Sequence, residues 1–175
     1  QYDAGNGQMK DVAVSGVVAS GLLYMPKKAS ETNKLPAVVL THGYLNNREL
    51  QMPFAVELAR RGFIVLAIDR EGHGNHENTG TTGAMMATKG MYDSVKYLYN
   101  LPQVDKSKIG ISGHSMGGFT TEMTLMEDAK LLGGLGLISA GLIQGWEPAV
   151  PQLMPLYTAD VGILKAQDDE FFFTS

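Results

Sequence analysis

Short apolar runs alternate along the chain with stretches in which apolar residues recur at helical spacing. Two continuous runs, Ala37–Thr41 and Phe63–Ile68, have the length and character of strands buried on both faces. The same pattern predicts further strands at Lys10–Ser15, Val17–Met25, Ile109–Ser112, Leu135–Ser139 and Val161–Ala166. Helices are predicted at Glu49–Arg61, Ala84–Leu101 and Met116–Glu127.

Strands that alternate with helices of this length indicate right-handed βαβ units. The fold class is therefore α/β, with a mostly parallel sheet flanked by helices on both faces. A chain of 175 residues has room for one domain, so we expect residues 1–175 to form a single unit. Ligands bind at the carboxyl ends of strands in such folds. The loops of interest follow Thr41, Ile68, Ser112, Ser139 and Ala166.

Composition excludes several classes of function. Lys plus Arg number 14 and Asp plus Glu number 18, so this weakly acidic chain lacks the charge pattern of a nucleic-acid-binding protein. The chain has no cysteine, which excludes disulfides, thiolate metal sites and a cysteine nucleophile. The longest uncharged apolar stretch, Leu131–Trp146, is shorter than the roughly 20 residues of a membrane-spanning helix. We expect a soluble domain and leave open whether its compartment is cytoplasmic or extracytoplasmic.

One turn carries recognisable chemistry. Gly113, His114, Ser115, Met116 and Gly117 form a G-x-S-x-G motif between a predicted strand and a predicted helix. A sharp reversal at the serine brings the residues two before and two after it close together, so both must lack a side chain. The strained turn would expose the serine hydroxyl and direct backbone N–H groups toward developing negative charge. The alternative is a glycine-rich turn with an incidental serine.

Four motifs occur in one order along the chain: THGYLNN, DREGHG, GHSMGG and ILKAQDDEFF. With them the sequence resembles the α/β-hydrolase superfamily, in particular esterases, lipases, and dienelactone-hydrolase-type or prolyl-peptidase-type enzymes. The resemblance implies an α/β-hydrolase fold and a serine hydrolase that cleaves a small-molecule carboxylic ester or related acyl bond through an acyl-enzyme. It implies no metal and no organic cofactor.

The resemblance also assigns residues to the oxyanion hole of this reaction. The THGY loop and the residue after the nucleophile each supply one backbone N–H, which by position are those of Tyr44 and Met116. Gly43 lets the backbone approach the substrate without a Cβ in the way. We interpret His42 as a structural loop histidine. The DREGHGNH segment that follows Ile68 is expected to shape a turn beside the site, and its irregular spacing is weak support for a metal site.

The acid that orients the catalytic histidine is expected after the strand Val161–Ala166. The family pattern maps best onto Asp169, with Asp168 in reserve. A catalytic histidine should follow the acid in this fold. The four histidines of the chain all precede it: His42, His73, His76 and His114.

Three explanations of this departure stay open. The sequence is a piece of a longer hydrolase, it is a catalytically dead relative, or His73 or His76 substitutes as the base. We favour the first, with the α/β-hydrolase fold lacking its last strand and helix. The sheet edge where strand eight belongs would then be open to self-association.

The segment 142–160 joins the sixth and seventh predicted strands. It contains three prolines and the single tryptophan, and is either a short apolar cap or a plain loop. Two other functions remain as alternatives to an esterase. One is a non-catalytic module that binds a ligand in the same cleft, and the other is a serine peptidase.

Overall fold

The computed structural model describes residues 7–14, 17–76, 90–130, 137, 139–143 and 160–164, and every structural statement below concerns these ranges. Strands occupy β1 Gly7–Val14, β2 Val17–Tyr24, β3 Leu35–Thr41, β4 Ile64–Ile68, β5 Val104–His114, β6 Ser139–Ile143 and β7 Asp160–Leu164. Helices occupy α1 Met52–Arg60, α2 Met91–Asn100 and α3 Met116–Lys130, and a 3-10 turn at Arg48–Gln51 leads into α1.

The strands of the described ranges form one sheet in the order β1-β2-β4-β3-β5-β6-β7. β2 runs antiparallel to both β1 and β4. The pairings of β4 with β3, β3 with β5, β5 with β6 and β6 with β7 are all parallel. The predicted mostly parallel sheet is therefore confirmed.

Both faces of the central sheet are buried against helices. Along β4, Ile64 and Leu66 belong to an apolar cluster with α2, whereas Val65 and Ala67 belong to a cluster with α1. Successive strand residues point to opposite faces, so a strand covered on both sides must be apolar at every position. The two continuous apolar runs, Ala37–Thr41 and Phe63–Ile68, therefore predicted buried strands correctly. The predicted helices on both faces of the sheet are also confirmed.

One strand prediction was wrong in its position. Leu135–Ser139 was expected to be a strand, but β6 is Ser139–Ile143, and Leu137 lies before it as a buried residue outside regular structure. Pairing decides this boundary, because Ser139 aligns with Gly110 of β5 and Ile143 with His114. The glycine-rich apolar run around it has no alternation that would fix the strand's start.

The correction to β6 also shortens the cap segment. Leu142 and Ile143 belong to β6 and Asp160 opens β7, so the connection between these strands is 144–159. That connection lies outside the described residues, and the choice between a cap and a plain loop stays a prediction. The first part of the predicted helix Ala84–Leu101, residues 84–89, also lies outside them.

The chain order places a crevice at the carboxyl end of the sheet. β3 and β5 are neighbours, but the connection after β3 leads to β4 on one side and the connection after β5 leads to β6 on the other. The loops that leave the two strands therefore diverge. Such a point is where open α/β sheets bind their ligands. The segments that meet there begin at His42 and at Ser115.

Candidate active site

Ser115 lies at the turn between β5 and α3. Its φ is 55°, in the left-handed region that few residues other than glycine adopt. β5 ends at His114 and α3 begins at Met116, so a single residue reverses the chain. The carbonyl of Ser115 accepts hydrogen bonds from the N–H groups of Gly118, at 2.8 Å, and Phe119, at 3.3 Å, as α3 begins. Backbone strain of this kind is concentrated at functional sites.

Two glycines make this turn possible. A Cβ on Gly113 would lie 2.1 Å from the carbonyl oxygen of Gly117, far inside any allowed contact. A Cβ on Gly117 would lie 2.6 Å from the carbonyl oxygen of Thr41 and 2.7 Å from that of His42. The turn is thus packed backbone to backbone against itself and against the end of β3. The glycines at positions two before and two after Ser115 are required by the geometry.

The loop after β3 lies directly beside Ser115. A Cβ on Gly43 would be 3.2 Å from the Ser115 Cβ and 3.3 Å from Nδ1 of His114. Met116 is the first residue of α3, so its N–H has no partner within the helix. Within the described ranges, the N–H of Tyr44 likewise donates to no backbone carbonyl. Two backbone donors therefore come from the two segments that meet at the crevice.

His42 is a structural residue. It is fully buried, and its Nδ1 donates to the carbonyl oxygen of Gly43 at 2.7 Å. Its Nε2 accepts from the N–H of Arg70 at 3.0 Å. Burial lowers the pKa of His42 below its ordinary value, although the Gly43 contact and the charge of Asp69 oppose this effect. Because both ring nitrogens are engaged and the ring is neutral, His42 has no free lone pair with which to take a proton from a serine.

Asp69 organises the loop that follows β4. Its carboxylate is buried and accepts from the Arg48 N–H at 2.9 Å, from Nη1 of Arg48 at 2.6 Å and from the N–H of Asn75 at 3.0 Å. Arg48 is also buried, and its Nη1 donates to the Ser20 hydroxyl as well. Gly74 has a φ of 54°, and a Cβ there would lie 2.3 Å from Cγ of Asp69. The loop therefore closes around this carboxylate.

The loops after β3 and β4 are joined into one platform, which we call the loop platform and define as residues 42–48 and 69–76. The contacts of His42 with Arg70 and of Arg48 with Asp69 join both ends of the first segment to the start of the second. Nε of Arg70 also donates to the Thr120 hydroxyl at 3.1 Å, which ties the platform to α3. Neither buried contact could be predicted from the sequence, because Arg48 stands in no motif and the DREGHG motif that contains Arg70 was expected only to shape a turn.

The two remaining candidate bases also make structural contacts. Nδ1 of His73 is 3.1 Å from the carbonyl oxygen of Glu71, and its ring contacts the rings of His42 and Tyr44. Nδ1 of His76 is 2.9 Å from the carbonyl oxygen of Asp69. Within the described ranges, no hydrogen bond joins the Ser115 hydroxyl to a histidine.

The structure thus brings together the residues expected of the nucleophile turn and the oxyanion loop. Ser115, Met116, Gly43 and Tyr44 meet at the crevice between β3 and β5. Asp168 and Asp169 lie outside the described residues, so their expected role stays a prediction. The part of the chain that the structure describes contains no cluster of His, Asp and Glu suited to hold a metal ion.

Two unusual residues near the site were not found from the sequence. Leu45 has a φ of 59° and its side chain is 79% exposed. Glu122 on α3 is buried, neither carboxylate oxygen has a hydrogen-bond partner in the described ranges, and burial raises its pKa to about 7. Leucine is not typical of a left-handed turn, and a glutamate in a helix usually faces solvent. No local signal pointed to either.

Comparisons with known proteins identify the family of this chain. Residues 32–162 match the family model described as serine aminopeptidase, S33. The chain is 27% identical over 150 residues to the uncharacterized protein YcjY of Escherichia coli, covering 82% of this chain and 49% of that protein. It is 28% identical over 116 residues to thiohydrolase aneE of Aspergillus aculeatus, covering 65% of this chain and 35% of that protein. It therefore spans about half or less of the length of these curated relatives.

A solved structure supports the fold. A dienelactone-hydrolase-like promiscuous phosphotriesterase from metagenomic libraries superposes with a TM-score of 0.77 at 17% identity, over 96% of this chain and 71% of that one. At this identity the likeness shows the fold alone. None of the helices in the described ranges combines the length and apolar character that a membrane crossing requires.

Proposed function

The chain belongs to the serine aminopeptidase S33 family of α/β-hydrolases, and on that premise we propose that it forms part of a serine hydrolase. The reaction is cleavage of a carboxylic ester or a related acyl bond through an acyl-enzyme. One observation carries this proposal: Ser115 is held at a φ of 55° at the strand-to-helix turn. A protein that only binds a ligand has no need of a strained serine there.

In the proposed reaction, the Ser115 hydroxyl attacks the substrate carbonyl carbon and gives its proton to a histidine. The carbonyl oxygen becomes an oxyanion, which accepts hydrogen bonds from the N–H groups of Tyr44 and Met116. Collapse of the tetrahedral intermediate breaks the bond to the leaving group, which takes the proton from the histidine. Water then releases the acyl group and restores the serine. Removing one donor of an oxyanion hole costs about 2.7–4 kcal/mol of transition-state stabilisation in comparable enzymes.

The base that takes the Ser115 proton is a further part of the proposal. His42 is excluded because both of its ring nitrogens are engaged. We propose that the base is a histidine outside this sequence and that Asp169 orients it, with Asp168 as the second candidate. The proposed reaction requires no metal ion and no organic cofactor.

The substrate bond is an ester, a thioester or an amide. The matching family model is named for an aminopeptidase, and one relative is named as a thiohydrolase. All three bonds are cleaved by the same attack on a carbonyl carbon, so a serine peptidase is the second candidate function. Steady-state rates on matched p-nitrophenyl esters, thioesters and aminoacyl-p-nitroanilides separate these substrates.

The experiment that tests the proposed function is fluorophosphonate labelling, read by mass spectrometry. It uses the whole protein to which this sequence belongs, so that the proposed histidine base is included. Ser115→Ala should abolish labelling. Ser107→Ala is the matched control, because Ser107 is an exposed serine on β5, the same strand that leads to Ser115. Labelling that survives Ser115→Ala would overturn the assignment of the nucleophile. A folded protein that takes no label and cleaves no acyl substrate would favour the binding module.

A further inference from the structure

Leu45 adopts a backbone conformation that leucine rarely takes. In the described ranges, the residues other than glycine with positive φ are Leu45, at 59°, and Ser115, at 55°. The left-handed region is unfavourable for side chains with a Cβ and is normally occupied by glycine or asparagine. Ser115 has a proposed role that accounts for its strain. Leu45 lies two residues after Gly43, which packs on Ser115, and its strain is so far unexplained.

The leucine side chain gains nothing from packing that would offset this strain. It is 79% exposed. Its neighbour Tyr44 is also exposed, at 60%, so two large apolar side chains stand exposed next to each other in this loop. Exposed apolar side chains that lie next to each other are typical of a binding surface. Tyr44 is also the residue whose N–H is proposed to donate to the oxyanion.

The backbone at Leu45 is held by its neighbours rather than by its own side chain. His42 is fixed through both ring nitrogens, and Arg48 is fixed by its contacts with Asp69 and Ser20. The span between these anchors is 43–47, which must turn within five residues. Glycine would satisfy this turn with less strain. The fold therefore requires a left-handed residue at position 45 but does not require leucine.

We propose that the Leu45 side chain is a specificity-determining contact for an apolar chain of the substrate next to the scissile bond. The proposal rests on the proposed function, since it takes the Tyr44 N–H as an oxyanion donor. In this proposal, a carbonyl held by the Tyr44 N–H places one of its substituents against Leu45, the next residue along the chain. The Tyr44 ring, set edge-on to His73 with ring centroids 6.0 Å apart, adds a second apolar side chain next to Leu45. The apolar chain belongs either to the acyl group or to the alcohol.

The test uses Leu45→Gly and Leu45→Asn in the intact protein, because both residues accept the left-handed conformation and both remove the apolar side chain. We measure kcat and KM on p-nitrophenyl acetate, butyrate and octanoate. A second series of acetate esters with alcohols of increasing length identifies which side of the bond is recognised. Phe54→Ala is the matched control, since Phe54 is 57% exposed on α1 and carries no proposed role in the site.

Both variants should lower kcat/KM for the long-chain ester about fivefold or more, with the acetate little changed, because contact with several methylenes is lost. Phe54→Ala should leave the profile intact. Thermal unfolding of Leu45→Gly at or above the wild-type temperature shows that the loop has kept its structure. Chain-length profiles of both variants that match wild type in both ester series would overturn the role of Leu45. If Ser115→Ala retained esterase activity, the proposed function itself would fail instead.

Discussion

The buried ion pair between Arg48 and Asp69 allows the stability of the loop platform to be tested quantitatively. The chain offers an internal comparison, because Glu57 and Arg61 form an exposed ion pair on and just after α1. The two pairs have similar N–O distances, 2.6 Å for the buried pair and 2.9 Å for the exposed one. Their side chains differ in exposure, at 3% and 1% against 69% and 52%. The pairs therefore differ in burial and in the two backbone N–H groups from which Asp69 also accepts.

Asp69→Asn should lower the free energy of unfolding by about 3–5 kcal/mol, the usual cost of removing one partner of a buried ion pair. Glu49, 3.3 Å from Nε of Arg48, stays in place, but its side chain is 54% exposed and its charge is screened by solvent. The amide keeps one acceptor oxygen, but its NH₂ group faces N–H donors that the carboxylate had accepted from Arg48 and Asn75. Glu57→Gln removes a screened surface pair and should cost about 0.5 kcal/mol or less. A loss of 3 kcal/mol corresponds to a fall in Tm of roughly 6–12 °C for a domain of this size.

Urea unfolding followed by circular dichroism measures both variants under the same conditions. The single variant Arg48→Gln and the double variant Arg48→Gln/Asp69→Asn complete a double-mutant cycle. The double variant should cost less than the sum of the two single variants because neither charge of the buried pair remains. Two results would refute this reasoning. One is a cost for Asp69→Asn no larger than that for Glu57→Gln, and the other is strict additivity in the cycle.

Three further predictions concern α3, the Ser115 turn and the histidine anchor. Burial raises the pKa of Glu122 from 4.5 to about 7, so the folded protein keeps a proton that the unfolded chain releases. Stability should therefore fall as pH rises from about 5 through 7, by up to about 3 kcal/mol, and Glu122→Gln should remove this slope in urea unfolding measured against pH. Gly113→Ala places a Cβ 2.1 Å from the Gly117 carbonyl oxygen, and should prevent the turn from forming and abolish fluorophosphonate labelling. His42→Ala leaves the Arg70 N–H and the Gly43 carbonyl without their His42 partner, which should lower the free energy of unfolding by about 1–3 kcal/mol. His42→Gln keeps an acceptor for the Arg70 N–H and should therefore cost less.

Each of these has an outcome that would contradict it. An unfolding free energy that differs between wild type and Glu122→Gln by the same amount at every pH would show that the carboxyl does not titrate with folding. A Gly113→Ala variant with wild-type labelling would show that the backbone contact is not required. Equal losses for His42→Gln and His42→Ala would mean that the ring's packing, rather than its acceptor, anchors the loop.

The strands and the Ser115 turn could be predicted because the signals that define them are local. A strand covered on both faces must be apolar at successive positions, and the runs at β3 and β4 show this directly. A reversal at one residue between strand and helix requires glycines at fixed offsets, and Gly113 and Gly117 stand there. These requirements act over a few residues, so the sequence displays them without any knowledge of the rest of the chain.

The limits of β6 could not be read in the same way. The segment around it is rich in glycine and apolar residues, so neither alternation nor a turn signal marks where the strand begins. Its start at Ser139 is set by pairing with Gly110, which lies on a strand nearly thirty residues earlier. Pairing register depends on the partner strand, and it is therefore a property of the assembled sheet.

By itself, the sequence determined the α/β architecture, the position of the reversal at Ser115 and the segments that meet beside it, because each depends on residue types at short spacing. Only the tertiary structure decided which buried polar groups pair, since Arg48 meets Asp69 across 21 positions and Arg70 meets Thr120 across 50. It also showed that His42 is engaged at both nitrogens and that Leu45 is held in a left-handed conformation by anchors at either end of its loop. Such contacts join residues that are distant along the chain, and a local pattern of residues carries no record of them.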